Sequence, residues 1–303
     1  MTKLGTVIHQ GNERVAALLN DGLACLLPAA LGDMVSLIEQ GEMGVAAARE
    51  AVQAANRQIV DLTEVELCAP IRRYRRDVLC TGWNYWDHFY ESAGRREGQD
   101  VSKPTAPTFF TKGPDTVIGP YEDIAYDEKV STKWDYEAEI VVVIGKSGRS
   151  IPTAAAMEHV FGYCLANDVS QRDLQRRHGG QWLKGKSIDR TMPLGPWITL
   201  RDDIDLKSVV IECELNGRLM QHASALDMAF SIGELIAELS MGMTLQAGDI
   251  LLTGTPSGIG NARTPPVFLQ AGDLVEVRAT GLGKLVNRLV PTDLKSYSGR
   301  GRQ

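Results

Sequence analysis

Hydrophobic and polar positions alternate in short runs along most of this chain, and runs of that length predict strands rather than long helices. Near the start, Thr6 to Ile8, Arg14 to Leu19 and Leu23 to Leu27 are separated by Gly11-Asn12 and Asn20-Asp21-Gly22. Those turn-forming residues predict a small antiparallel sheet. Helical stretches follow at 32–40 and 43–57, the second rich in Ala with Arg and Glu spaced along it. Pro70 closes an N-terminal module, 1–70, and leaves 71–303 as the main domain. There, Val78 to Gly82 reads as a strand ending on a glycine, and further strands are expected at 108–111, 117–118, 137–144, 196–200, 208–215, 249–253 and 273–279. Helices are expected at 153–160, 170–177 and 226–240, the last through an apolar stripe of Met228, Ile232, Leu235, Ile236 and Leu239. The pattern is α+β and β-rich, with no regular βαβ repeat.

Residues 92–106 are rich in Ser, Gly, Pro and charge, and they adjoin the aromatic run Trp83 to Glu91. A loop there reads as a lid, in which Tyr90, Arg95, Arg96 and Lys103 offer polar partners and Trp83 and Trp86 an apolar wall. A chain of 303 residues that is 44% hydrophobic and 23% charged can bury a substantial core as an ordinary globular protein. Its net charge of −6 argues against sequence-independent binding of nucleic acid. The basic clusters Arg72, Arg73, Arg75, Arg76 and Arg176, Arg177 read as surface charge or anion contacts. No run reaches the roughly 18 apolar residues of a membrane span, and the first residues lack the apolar core of a signal peptide. A cytoplasmic protein is therefore expected, with no membrane partner. Cys25, Cys68, Cys80, Cys164 and Cys213 form no close pair, so reduced, buried thiols are expected instead of disulfides or a zinc site.

Candidate chemistry begins at Glu137 and Glu139, which lead into the apolar run Val141 to Ile144. A strand has a side-chain period of two, so both carboxylates aim the same way. Desolvating neighbouring negative charges is costly unless a cation neutralises them. Asp168 ends another apolar stretch, and three carboxylates suit a hard divalent ion such as Mg²⁺ or Mn²⁺. A solvated strand face is the alternative reading. His88 and Glu91 share a face if they lie in a helical turn, the arrangement of a general-base dyad, or simply a surface ion pair. Gly180 to Ser187 matches the phosphate-loop pattern, but no strand precedes it, and Pro193 and Pro196 oppose a long helix after it. Lys186 within that turn can aim its ammonium at an anionic oxygen and stabilise an enolate, a solvated lysine being the alternative reading. The glycine-rich turn Leu252 to Gly260, with Thr253 and Thr255, can cradle a carboxylate, or is equally a tight loop.

Together these segments resemble the fumarylacetoacetate hydrolase family. The resemblance rests on Gly82 to His88, Pro107 to Pro114, Asp135 to Lys146, Gly162 to Gln175, Lys186 to Asp189, Leu215 to Arg218 and Thr253 to Gly260, in the family's order across about residues 78–290. It implies a rolled, mostly antiparallel β-structure preceded by a small α/β module, a homodimer, and Mg²⁺ or Mn²⁺ held by Glu137, Glu139 and Asp168. It also implies that His88 with Glu91 activates water, that Lys186 steadies an enolate, and that Arg172, Gln175 and Thr255 bind substrate. The expected activity is metal-dependent hydrolysis of a carbon–carbon bond in a 2,4-dioxo acid of acylpyruvate or fumarylpyruvate type, in the breakdown of aromatic compounds. Isomerisation or decarboxylation of a 2-oxo or 2-hydroxydienoic acid is the alternative, since both pass through the same enolate and need no attacking water. A catalytically silent protein on this fold would have lost a carboxylate or the dyad, and neither is missing.

Overall fold

The computed structural model describes residues 1–94 and 102–296, so Arg95, Arg96 and most of the expected lid lie outside the described residues. The largest sheet is built around the strand Ala138–Ile144, whose residues are all buried. Residues of one parity, Ile140, Val142 and Ile144, pack into a core shared with Ile211, Cys213, Val275 and Leu285 of a five-stranded second sheet. Residues of the other parity, Val141 and Val143, belong to a second core together with Leu37 and Ile38 of the N-terminal helix Met34–Glu39. A strand covered on both faces is apolar throughout, which explains the unbroken run in the sequence.

Ala138–Ile144 pairs antiparallel with Val160–Asn167 on one side and Ile250–Leu252 on the other. Beyond Val160–Asn167 come Met192–Leu200 and then Lys3–His9 of the N-terminal module, which continues the same sheet through Asn12–Asn20, Leu23–Leu26 and Gln58–Asp61. At the other end, Ile250–Leu252 runs parallel to Val78–Gly82, which pairs with Thr108–Lys112. The second sheet holds Val210–Leu215, Arg218–Ser224, Leu274–Ala279 and Gly283–Pro291, antiparallel in sequence, with Ile124–Tyr126 parallel at its edge. The two sheets wrap one core, giving the β-rich, mostly antiparallel roll.

Several boundaries differ from the periodicity. The helix expected from 226 starts at Ile232, because Ser231 caps it: its hydroxyl accepts from Glu234 N, and the Glu234 side chain accepts from Ser231 N. Met228 and Phe230 stay outside that helix, Phe230 N donating to Asn84 Oδ1 at 2.8 Å. The expected helix at 153–160 is one turn, Thr153–Ala156, followed by a 3₁₀ turn and then the strand Val160–Asn167. That strand is buried at every position and so carries no alternation to read. The arginines 72–76 reach back to acids of the N-terminal module, Arg72 to Glu13, Arg73 to Asp33 and Arg75 to Glu39, while Arg76 meets Asp249 at 3.2 Å. Among the described residues no helix is long and apolar enough to cross a membrane. All five cysteines are free and buried.

Candidate active site

The ends of two neighbouring strands assemble the acidic cluster. Glu139 is paired with Ala166 and Ala138 with Asn167, so Glu137 and Asp168 fall side by side just past the last ladder pair. Asp168 N donates to Glu137 O at 2.8 Å, and Glu137 N donates to Asn167 Oδ1 at 3.0 Å, which locks the two ends together. Carboxylate oxygens of Glu137, Glu139 and Asp168 lie within 4.8 Å of one another. The three side chains belong to residues 5%, 1% and 0% exposed, so a solvated strand face is excluded.

Three buried cations surround them. Lys186 Nζ donates to Glu137 Oε2 at 2.6 Å and to Asp168 Oδ2 at 2.7 Å. Lys112, with no exposure, donates to Asp168 Oδ1 at 2.7 Å and to Val169 O at 3.1 Å. Arg172 lies 2.6 Å from Glu137 Oε1 through Nη2 and donates from Nε to Asp135 Oδ2 at 2.9 Å. The phosphate-loop lookalike is thus a short helix, Leu183–Lys186, that turns its lysine inward. It can do so because Gly185 packs directly on the helix Arg172–Arg177: a Cβ there would sit 2.2 Å from Gln175 N.

Four buried carboxylates, counting Asp135, face these three cations, which leaves one negative charge uncompensated. The excess falls on Glu139, which accepts from Gly254 N at 2.6 Å and makes no ion pair among the described residues. Burial first, and then the charges of Asp168 and Glu137, push its carboxyl well above the ordinary range. Burial opposes ionisation of Glu137 too, but Lys186 and Arg172 outweigh it and hold that carboxyl below its usual range. For Lys186, burial opposes the charge while Asp168 and Glu137 more than restore it, so the ammonium is retained.

His88 and Glu91 lie in the helix Trp86–Glu91, with His88 Nδ1 2.8 Å from Glu91 Oε1. The other Glu91 oxygen accepts from Gly258 N at 2.8 Å. An ionised carboxylate only accepts, so the pair assigns the proton to Nδ1 and leaves the Nε2 lone pair available. Thr255 Oγ1 accepts from Gln221 Nε2 at 2.8 Å, which leaves its own hydrogen to donate. The cavity between these groups encloses about 580 Å³, part of it open to solvent. All nine residues singled out in the sequence line it except Glu91 and Asp168, which are bonded to lining residues from behind.

Lys112, Asp135 and Gln221 were missed as site residues. Asp135 takes four hydrogen bonds, from Tyr136 N, Gly260 N, Asn261 N and Arg172 Nε, and so ties the 258–261 turn to the cluster. Gln221 joins Ala138 N to Thr255 and Pro256 O. Each motif holding Lys112 or Asp135 was visible, but only tertiary contacts separate them from solvated charge; Gln221 carries no sequence signal at all.

The donor set fits a hard divalent ion: among the described residues the converging group is three buried carboxylates with no thiol or imidazole in it, and one of them, Glu139, lacks a cationic partner. The Fumarylacetoacetate (FAA) hydrolase C-terminal family matches residues 77–290. The chain is 42% identical over 266 residues to the oxaloacetate tautomerase of Bacillus subtilis, covering 85% of this chain and 86% of that one. Among solved structures it is similar to a fumarylacetoacetate hydrolase from Exiguobacterium antarcticum, with a TM-score of 0.81 and 32% identity over 96% of this chain and 100% of that one. It is similar as well to a probable 2-hydroxyhepta-2,4-diene-1,7-dioate isomerase from Mycobacterium abscessus, with a TM-score of 0.79 and 30% identity over 96% and 99% of the two chains.

Proposed function

The chain belongs to the fumarylacetoacetate hydrolase family, and within it we propose a metal-dependent keto–enol isomerase of a short 2-oxo dicarboxylic acid, oxaloacetate being the first substrate to test. The observation that carries this reading is the likeness to an oxaloacetate tautomerase across 85% of the chain, joined to a cavity that offers one base and one buried ammonium. Hydrolysis of a 2,4-dioxo acid, the activity that the resemblance implies and that the His88 and Glu91 pair modestly favours, has less support. The same pair serves equally well to move a proton at carbon.

Mg²⁺ or Mn²⁺ held by Glu137, Glu139 and Asp168 would supply a Lewis acid that offsets the negative charge of an enolate. The chain's own groups account for the proton movements. The Nε2 lone pair of His88 takes the proton from C3, and the C3–H electron pair becomes the C2–C3 double bond. Glu91, fixed by Gly258 N, stabilises the imidazolium that results. The ammonium of Lys186 meets the charge that develops on the C2 oxygen, and the proton held by the His88 imidazolium passes through water to that oxygen, which completes the enol and returns the imidazole to its neutral form. Thr255, whose hydroxyl is oriented by Gln221, donates to a substrate carboxylate, and Arg172 and Gln175 form the adjoining polar wall. Assembly as a homodimer belongs to the same proposal and is checked by light scattering.

The test follows the enol absorbance of freshly dissolved oxaloacetate alongside pyruvate release from oxaloacetate and from acetylpyruvate, with Mn²⁺ and after chelation. Faster enol–keto relaxation, lost on chelation and in His88→Ala, is the expected result. Relaxation at the buffer rate with rapid pyruvate release from acetylpyruvate would return the chain to the hydrolases.

A further inference from the structure

One wall of the cavity is aromatic, and the proton chemistry makes no use of it. Trp182 stands edge-on to Trp83, ring centres 5.0 Å apart, and edge-on to Phe110 at 5.1 Å. Phe110 in turn receives the Lys186 ammonium at 5.1 Å from its ring centre. The wall therefore abuts the group assigned to the C2 oxygen.

Two backbone features are committed to holding it there. Gly82 ends its strand directly under the indole, where a Cβ would lie 2.5 Å from Trp182 Cζ3 and 2.8 Å from Cη2. Trp83 then adopts a left-handed backbone, φ 55°, which a bulky residue rarely takes and which is kept only where the surroundings enforce it. The enforcement comes from Asn84, whose amide donates to Thr253 O at 2.9 Å and to Phe230 O at 3.1 Å. A strained turn and an obligatory glycine both serve to seat one indole beside the reacting end.

We propose that Trp182, backed by Trp83 and Phe110, sets the substrate's chain length, admitting 2-oxo acids of about four carbons and excluding longer ones. The inference rests on the reading of this cavity as a 2-oxo acid site and adds the size class. The two 5.1 Å contacts through Phe110 put the Trp182 ring centre at most about 10 Å from Lys186 Nζ. A hydrogen bond from Nζ to the C2 oxygen takes about 3 Å of that. The closest approach of a carbon to the ring takes about 3.5 Å more. With the C2–O bond of about 1.2 Å also counted, what remains accommodates roughly one or two carbon–carbon bonds beyond C2, at about 1.5 Å each.

Binding of pyruvate, 2-oxobutyrate and 2-oxohexanoate to the full-length, Mn²⁺-loaded protein, measured by calorimetry, tests the proposal without relying on turnover. The wild-type protein is expected to bind 2-oxohexanoate at least about 10-fold more weakly than 2-oxobutyrate, within the range that one or two methylenes command in a fixed pocket. Trp182→Ala should bring the two within about 3-fold, and Trp182→Leu, which keeps more of the packing, should fall between; urea midpoints verify that each variant is folded. Equal binding of long and short acids by the wild type, a parallel loss for both in the variants, or no binding of any chain length overturns the proposal. Oxaloacetate turnover recorded on the same samples separates the two readings: length discrimination with no wild-type turnover would remove the tautomerase and keep the size gate.

Discussion

Replacing Asp135 with Ala is expected to unfold the active site before it unfolds the sheet, and the structure gives the size of the effect. The Asp135 carboxylate is fully buried and accepts from Gly260 N at 2.8 Å, Tyr136 N at 3.0 Å, Asn261 N at 3.0 Å and Arg172 Nε at 2.9 Å. Removing one partner of a buried ion pair costs about 3–5 kcal/mol. Each buried N–H left without an acceptor adds about 1–3 kcal/mol where water cannot reach it. The adjacent cavity can admit water to part of the space, and Arg172 keeps Glu137 at 2.6 Å, so a net loss of about 4–6 kcal/mol is expected. That is a large share of the roughly 5–15 kcal/mol that stabilises a folded domain. Function should fail further than stability, because the 258–261 turn that Asp135 anchors also carries the Gly258 N–H that fixes Glu91 and, through it, His88. Urea unfolding followed by tryptophan fluorescence measures the first effect, and kcat at a temperature where the variant is folded measures the second. A variant within about 1 kcal/mol of the wild type, or a folded one with unchanged kcat, would refute the role assigned to this carboxylate.

Glu139→Gln should bind Mn²⁺ at least about 10-fold more weakly by calorimetry, yet melt at a higher temperature than the wild type when no metal is added, because a neutral amide avoids the cost of burying a carboxyl whose ionisation burial, Asp168 and Glu137 all oppose. Glu91→Gln should lower kcat for enolisation by about 100-fold and lower stability by about 1 kcal/mol, since the amide has one acceptor oxygen for the two donors, His88 Nδ1 and Gly258 N, and no longer stabilises the charged imidazole. Asp33 caps the helix Met34–Glu39 by accepting from Ser36 N, and Asp33→Ala should cost about 1 kcal/mol near neutral pH. The Arg73 hydrogen bonds hold the Asp33 carboxyl below its usual range, so the wild-type advantage is full above the unfolded value of about 3.9 and is lost as the pH falls from there through the folded one. Melts of both proteins at pH 7 and at pH 2 check the sign; a gap that widens in acid contradicts it.

Glu137, Glu139 and Asp168 of the candidate site were legible in the sequence, and Lys186 and Arg172 were named with them, but Lys112, Asp135 and the pairing of each cation with its acid were not, for a physical reason. Glu137 and Glu139 are two apart before an apolar run, and the strand period alone aims them together. His88 and Glu91 are three apart, and one helical turn does the same for them. Such pairs are set by local geometry. Lys112, by contrast, lies 56 positions from Asp168, and Arg172 lies 37 from Asp135, so only the roll of the sheets brings each cation to its acid. In the linear chain Lys112 cannot be told from Arg72, Arg73 and Arg75, which are equally charged and yet reach Glu13, Asp33 and Glu39, and nothing local assigns Arg172 its acid. The same division runs through the fold. Alternating strands and the N-terminal hairpins could be read, whereas Val160–Asn167, buried on both faces, and the start of the helix at Ile232, chosen by the Ser231 cap and the grip of Asn84 on Phe230, could not. Tertiary charge compensation therefore decides which acids can be buried at all. With Lys112 and Lys186 both occupied on Asp168 and Arg172 on Asp135 and Glu137, Glu139 is the carboxylate left to a cation from outside the chain. Its substitution is thus the one change in the cluster predicted to weaken metal binding and strengthen the metal-free fold together, a combination that a purely structural acid would not produce.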